Sequence, residues 1–88
     1  MTVSFRKSFL RDLKKLKDAR VRGRVRDVIE AVAEADSLAD LPDVKKMSGG
    51  SGYYRVRVGG YRIGLAVEDG EVEFVRVLDR KDIYRYFP

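Results

Sequence analysis

The sequence predicts an α+β fold: one short strand, two helices, then a three-stranded meander closed by a short tail. Three observations carry that reading. Between about residues 8 and 35 the apolar side chains recur at helical spacing. Before and after that stretch they alternate, as half-buried strands do. Gly59-Gly60 and Asp69-Gly70 then punctuate the second half as tight hairpin turns, whose backbone angles glycine adopts at low cost. The expected architecture is an antiparallel sheet with a helix pair on one face and the other face open, in a single domain spanning residues 1–88.

Taken in order, Thr2 to Arg6 alternates through Val3 and Phe5 and reads as a first strand. Ser8 is the expected N-cap of a helix running to about Lys17, with Phe9, Leu13 and Leu16 along one side. A second helix covers Ala19 to Ala35, where Val21, Val25, Val28 and Val32 form a stripe widened by Ile29 and Ala33. Arg11, Lys14, Lys15, Arg20, Arg22, Arg24 and Arg26 occupy the other sides, as a solvated face or a second contact to RNA. Asp36 to Pro42 is a connection, and Ser48 to Gly52 a flexible loop. That loop leads into a strand and lacks the lysine of a phosphate-binding P-loop, so it is no nucleotide cradle.

The first hairpin is the most informative segment. A turn at Gly59-Gly60 pairs Val58 with Tyr61, Arg57 with Arg62, Val56 with Ile63 and Arg55 with Gly64. Tyr54, Val56, Val58, Tyr61, Ile63 and Leu65 then share an apolar face. The opposite face carries Arg55, Arg57 and Arg62 beside a bare glycine. Like charges directly across a strand pair repel, and a bound anion such as phosphate reverses the sign. The competing reading pairs these arginines with Glu68, Glu73 or Asp79.

In the strand after Asp69-Gly70 the register is open: a simple turn puts Val72, Phe74 and Leu78 toward the core but Arg76 with them, and a bulge near Arg76 is one escape. Arg76 is expected to pair with Glu73 or Glu71. Ile83 to Phe87 forms a short helical or irregular tail against the sheet.

Composition narrows the partners. A net charge of +5 favours an acidic partner, nucleic acid first. With no cysteine there is no thiolate nucleophile or disulfide framework, and with no histidine the usual acid/base and the commonest metal ligand are missing. No cofactor or metal is expected. No apolar run reaches membrane-spanning length and no signal peptide opens the chain, so the expected location is the cytoplasm, away from membranes.

Three segments in order carry a family resemblance: Val44-Lys45-Lys46-Met47-Ser48-Gly49, Tyr54-Arg55-Val56-Arg57-Val58-Gly59-Gly60-Tyr61-Arg62-Ile63-Gly64, and Arg80-Lys81-Asp82-Ile83-Tyr84-Arg85. Behind a strand and a helix pair, they make the chain similar to the RelE/ParE superfamily of toxins from type II toxin–antitoxin systems, with the RelE branch favoured. The resemblance implies a RelE-like (microbial ribonuclease-like) fold, a cognate antitoxin, and ribosome-dependent cleavage of messenger RNA. It also implies partnership with the ribosome, and with operator DNA through the antitoxin complex. Carried over by position, the catalytic arginines are Arg55, Arg57, Arg62 and Arg80; with Lys81 and Tyr84 they make the expected catalytic set, and Lys45, Lys46, Arg85 and Tyr86 are the expected RNA-binding residues. The C-terminal tyrosine of the family falls on Tyr84 or Tyr86. Two positions depart from the pattern: Arg55 and Arg57 stand where well-studied relatives have lysine, and Asp79 stands where many have histidine.

Metal-free RNA cleavage asks for a base at the 2′-hydroxyl, positive charge around the pentavalent phosphorane, and an acid at the leaving oxygen. Guanidinium groups suit the second task because their planar fork matches phosphate oxygens. They are poor bases, since arginine stays protonated. Lys81, Lys46 or Asp79 are the remaining base candidates, and Tyr84 or Tyr86 can stack on a base or pass a proton. Two other functions compete: a ParE-like inhibitor of DNA gyrase, and a catalytically weak basic module that acts with its antitoxin on operator DNA.

Overall fold

The computed structural model describes residues 1–48 and 50–88; Gly49, inside the expected Ser48–Gly52 loop, lies outside the described residues. The chain runs β1 (Thr2–Phe5), α1 (Lys7–Lys15), α2 (Ala19–Glu34), a 3-10 turn (Leu38–Asp40), β2 (Val44–Lys46), β3 (Tyr53–Val58), β4 (Tyr61–Glu68), β5 (Glu71–Asp79) and α3 (Ile83–Tyr86). The strands form one five-stranded sheet in the order β1-β5-β4-β3-β2. This is the α+β architecture that the sequence predicts, with two differences. The short strand β2 is added at one edge, and β1 pairs with β5 in parallel, so the sheet is mixed. Two helices between β1 and the meander carry the chain across, which lets β1 lie parallel to β5 where a tight hairpin would force antiparallel pairing.

The hairpin register is the one expected, residue for residue, from Arg55↔Gly64 to Val58↔Tyr61. Gly59 takes a positive φ of 57° at the first turn position, the pattern of a turn whose twist matches the strands it joins. At the second turn both Asp69 (φ 50°) and Gly70 (φ 78°) are positive, the Asp-Gly arrangement that closes a two-residue hairpin. The β4–β5 register shifts between Gly64 and Leu65, so that Gly64 faces Arg76 while Leu65 faces Phe74. Val75 is the extra residue of a bulge. The shift sends Val77, not Leu78, to the main core beside Val72 and Phe74.

That main core lies between helices and sheet. Phe9 of α1 and Val25 and Val32 of α2 pack on Val56, Val58, Ile63, Leu65, Val72 and Phe74. Phe5, Phe9 and Phe74 form an aromatic cluster with centroids 5.5–5.9 Å apart. Asp18 caps α2 by accepting from Arg20 N (2.9 Å) and Val21 N (3.3 Å).

Ser8 is not the helix cap: α1 starts at Lys7, and the Ser8 hydroxyl donates to the Val75 carbonyl at 2.6 Å. One turn later on the same side, buried Asp12 accepts from Val77 N at 3.1 Å and from Arg76 through Nε (2.7 Å) and Nη2 (3.1 Å). β1 covers only the first half of the β5 edge. Ser8 and Asp12 satisfy the second half with side chains, as an edge strand requires. Arg76 therefore pairs with Asp12, not with Glu73 or Glu71, and Glu73 instead bonds Arg6 at 2.6 Å. Arg22 stays exposed as expected, and its guanidinium also caps α1 through the carbonyls of Leu13 and Leu16.

The opposite face of the sheet is not fully open. Ile83 and Phe87 of the tail pack there on Met47 and Val75, flanked by Tyr53, Ala66 and Leu78. A Cβ on Gly64 would stand 2.7 Å from the Phe87 ring, so the bare glycine is the socket into which the tail is seated.

Candidate nucleic-acid interface

Cross-strand pairing puts side chains on a common face row by row. One row reads Lys45, Arg55, Gly64, Arg76 across β2, β3, β4 and β5. The next reads Arg57, Arg62, Leu78 across β3, β4 and β5. Phe87 sits over the gap at Gly64, and α3 sets a tyrosine on either side of it. The Arg55 guanidinium lies 5.9 Å from the Tyr84 ring centroid, and that of Arg76 lies 5.9 Å from Tyr86. Both rings face solvent, Tyr84 at 63% exposure and Tyr86 at 54%.

The structure gathers part of the expected site into one place. Lys45, Arg55 and Tyr84 border a shallow cleft of about 390 Å³, which Met47, Phe87 and Pro88 also line. Lys46 reaches its rim, but its cross-strand partner is Tyr54 of the core-facing row. Arg57 and Arg62 face each other one row along. Arg62 is partly committed to structure, as Nη1 donates to the carbonyls of Gly59 (2.9 Å) and Tyr61 (2.8 Å) at the hairpin end. Arg80 is tied to the same turn through its backbone N–H to Gly60 O at 3.0 Å, with its side chain exposed. Lys81 and Arg80 stand outside the cleft, at the turn into α3. Asp79 builds that turn by accepting Lys81 N at 3.0 Å. Arg85 and Tyr86 stand on the far side of Phe87, where Arg85 lies 5.9 Å from the Tyr86 ring.

Charge is the decisive property. Among the described residues the ion pairs are Arg6–Glu73 and Arg76–Asp12. Arg55, Arg57 and Arg62 are therefore not paired with Glu68, Glu73 or Asp79. Two arginines directly opposed on a sheet repel, and their unneutralised charge is available to an anion. Arg76 differs: its hydrogen bonds to Asp12 hold its guanidinium above the ordinary arginine range, despite partial burial.

Asp12, Ser8 and Phe87 escape a reading by residue type. A signal for Asp12 was present, because a carboxylate stands on the apolar side of α1 between Phe9 and Leu16. Its partner in β5 is not recoverable from spacing.

A small sheet with a helix pair on one face and a basic, tyrosine-flanked row on the other defines the class. Residues 3–84 match the family described as the ParE toxin of the type II toxin–antitoxin system parDE, and the chain belongs to this superfamily of RelE/ParE toxins. Over 89 aligned residues, covering all of both chains, it is 47% identical to Toxin RelE3 of Methanocaldococcus jannaschii. A solved antitoxin–toxin complex, RelB-RelE from Methanococcus jannaschii, matches with TM-score 0.81 and 44% identity over 96% of this chain and 98% of that one. The archaeal RelE-RelB complex of Pyrococcus horikoshii shares the fold, with TM-score 0.73 at 22% identity over 90% and 93% of the two chains.

Proposed function

We propose that this protein is a RelE-like toxin that cleaves messenger RNA on the ribosome without a metal and is held inactive by a cognate antitoxin. One observation carries the reading: Arg55, beside Lys45 and exposed Tyr84, has no carboxylate partner among the described residues. The likeness to RelE toxins and to RelB-RelE complexes supports the toxin and the antitoxin partner. Operator DNA is reached through the antitoxin complex.

In this mechanism Arg55 and Arg57 bind the scissile phosphate and stabilise the phosphorane, because preorganised charge aimed at a developing anion is usually the largest single catalytic contribution. Arg62, braced by the turn carbonyls, presents its remaining donors from a fixed position. Arg80 adds charge from the turn into α3. Tyr84, exposed beside Arg55, stacks against the nucleotide or passes a proton. Lys81, outside the cleft, needs the substrate to extend past the hairpin end to act. Lys45 and Lys46 hold the flanking backbone. Arginine cannot take the 2′-hydroxyl proton, so positioning by the ribosome supplies what the cleft lacks.

Mapping transcript ends after induced expression tests the reading. Cut transcripts inside reading frames, with growth arrest, are expected from the wild type, and Arg55→Ala abolishes both. Growth arrest with intact transcripts and trapped gyrase overturns the reading in favour of the ParE-like activity, which the matched family description also accommodates. Harmless expression with antitoxin binding retained points to a basic binding module.

A further inference from the structure

The cationic surface does not stop at the sheet. The end of α1 and the start of α2 both lie beside the Gly59-Gly60 turn. Lys15 and Leu16 line a recess of about 230 Å³ together with Tyr61, Leu78 and Asp79. Arg24 shares a groove with Arg57 and Val58, and its Nη1 lies 3.1 Å from where a Cβ on Gly59 would stand. Arg20 precedes Arg24 by one turn on the same side of α2, and Lys17 stands in the link between the helices. Arg62 and Arg80 are hydrogen-bonded to the turn itself.

Charge at this end is left to solvent. Lys15, Lys17, Arg20 and Arg24 are exposed, and none of them forms an ion pair among the described residues. The neighbouring carboxylates are engaged elsewhere or stand apart. Asp18 caps α2 through Arg20 N and Val21 N, and Asp79 accepts Lys81 N. Asp27 and Asp43 line the groove beside Arg24 without an ion pair to it. The opposite end of the sheet is acidic, with Glu68, Asp69 and Glu71 exposed at the β4–β5 turn. The eight residues of β4 put roughly 25 Å between the two turns. Charge separated in this way steers a polyanion to the Gly59-Gly60 end.

The make-up of this end selects among polyanions. The exposed large apolar side chains are Phe5, Leu10, Tyr84 and Tyr86, and none of them lines either recess. Helix ends and a tight turn, carrying cations and no exposed ring, offer nothing on which an unpaired base could stack. They suit the backbone of a duplex, whose bases are already stacked and whose recognition rests on phosphate and shape.

We propose that Lys15, Lys17, Arg20 and Arg24 form a second RNA-binding surface, for the phosphate backbone of double-stranded RNA, separate from the cleft that takes the single strand. This contact goes beyond the ribonuclease reading and is not required by it, so each can fail alone.

The test uses the full chain, a short blunt-ended RNA duplex and the DNA duplex of the same sequence, with binding followed by fluorescence anisotropy across a salt series. The RNA duplex binds whatever its sequence, with an affinity that falls steeply as salt rises. Arg20→Gln and Arg24→Gln each lower the slope of log affinity against log salt by about 0.9, and each weakens binding roughly five- to tenfold at about 0.1 M salt. Lys7→Gln removes the same charge from the other end of α1 and leaves the slope unchanged. All three side chains are exposed, so the variants keep the fold, which circular dichroism checks.

The surface is overturned if Arg20→Gln and Arg24→Gln bind the duplex as the wild type does. It is also overturned if Lys7→Gln weakens binding as much, since a diffuse field would then suffice. Tighter binding of the DNA duplex would assign this end to DNA. Polyglutamate, bound in place of the duplex with the same dependence on Arg20 and Arg24, would assign it to an acidic protein. Either result overturns the RNA assignment. Transcripts still cut after any of these outcomes leave the ribonuclease reading standing alone, whereas intact transcripts with duplex binding as expected remove the nuclease and keep the surface.

Discussion

The two faces of the sheet use the same strands for opposite purposes. On the helix face, Phe9, Val25, Val32, Ile63, Leu65, Val72 and Phe74 are fully or almost fully buried and interlock α1 and α2 with the strands. On the tail face, Ile83, Phe87, Met47 and Val75 make a small apolar patch, and the remaining surface carries unneutralised arginines. The first face commits its side chains to dry contact, which stabilises in proportion to the area removed from water. The second keeps like charges adjacent, which costs stability unless a ligand arrives. On the proposed function, stability and recognition are separated across one layer of backbone, with alternating residues of β3 assigned to each in turn.

Substitutions on the two faces should therefore fail in different ways. Phe74→Ala, at 0% exposure, is expected to cost about 3–5 kcal/mol, enough to unfold much of a small domain. Urea unfolding followed by circular dichroism measures it, and a loss below about 1 kcal/mol would break the assignment of the main core to the helix face. Arg55→Ala on the other face should lower RNA cleavage on the ribosome a hundredfold or more, with stability within about 0.5 kcal/mol. Equal damage to folding and cleavage would erase the distinction between the faces.

Asp12 joins the two. Asp12→Ala strands the Val77 N–H and the Arg76 charge, with an expected cost of about 2–3 kcal/mol, again read by urea unfolding. Gly64→Ala pushes a methyl group into the Phe87 ring. Its effect on global unfolding is about 1–2 kcal/mol, and its first sign should be faster amide exchange confined to residues 83–88. Exchange that rises uniformly through the sheet would show that the tail is not a separable layer. The smallest effect belongs to Glu68→Gln at the exposed end of β4: within about 0.5 kcal/mol and no change in cleavage, since among the described residues this carboxylate forms no ion pair with an arginine.

Much of this division was legible in the sequence. Gly59-Gly60 between alternating runs determines the β3–β4 register, because a shift by one residue would reverse every side chain of the hairpin. Asp69-Gly70 does the same for the next turn. The core-facing position of Arg76 in a plain ladder made a bulge one way out, and the bulge is there. Less legible were β2, too short for a periodic signal, and the parallel pairing of β1, which depends on how long connections wrap. Ser8 and Lys46 show the limit within a single residue, since side-chain chemistry did not reveal that one bonds a bulged carbonyl and the other turns to the core-facing row.

The sequence by itself determined the local periods, the turns and the excess of positive charge, since each arises from neighbours within a few residues along the chain. Only tertiary structure decided which cations stay free. Asp12 and Arg76 are 64 positions apart, and their pairing exists because α1 shields the half of the β5 edge that β1 leaves uncovered. It likewise decided that Phe87 divides the cationic row at Gly64. Neutralisation and occlusion act through distance in space, and distances between remote segments are set by the packing of the whole domain.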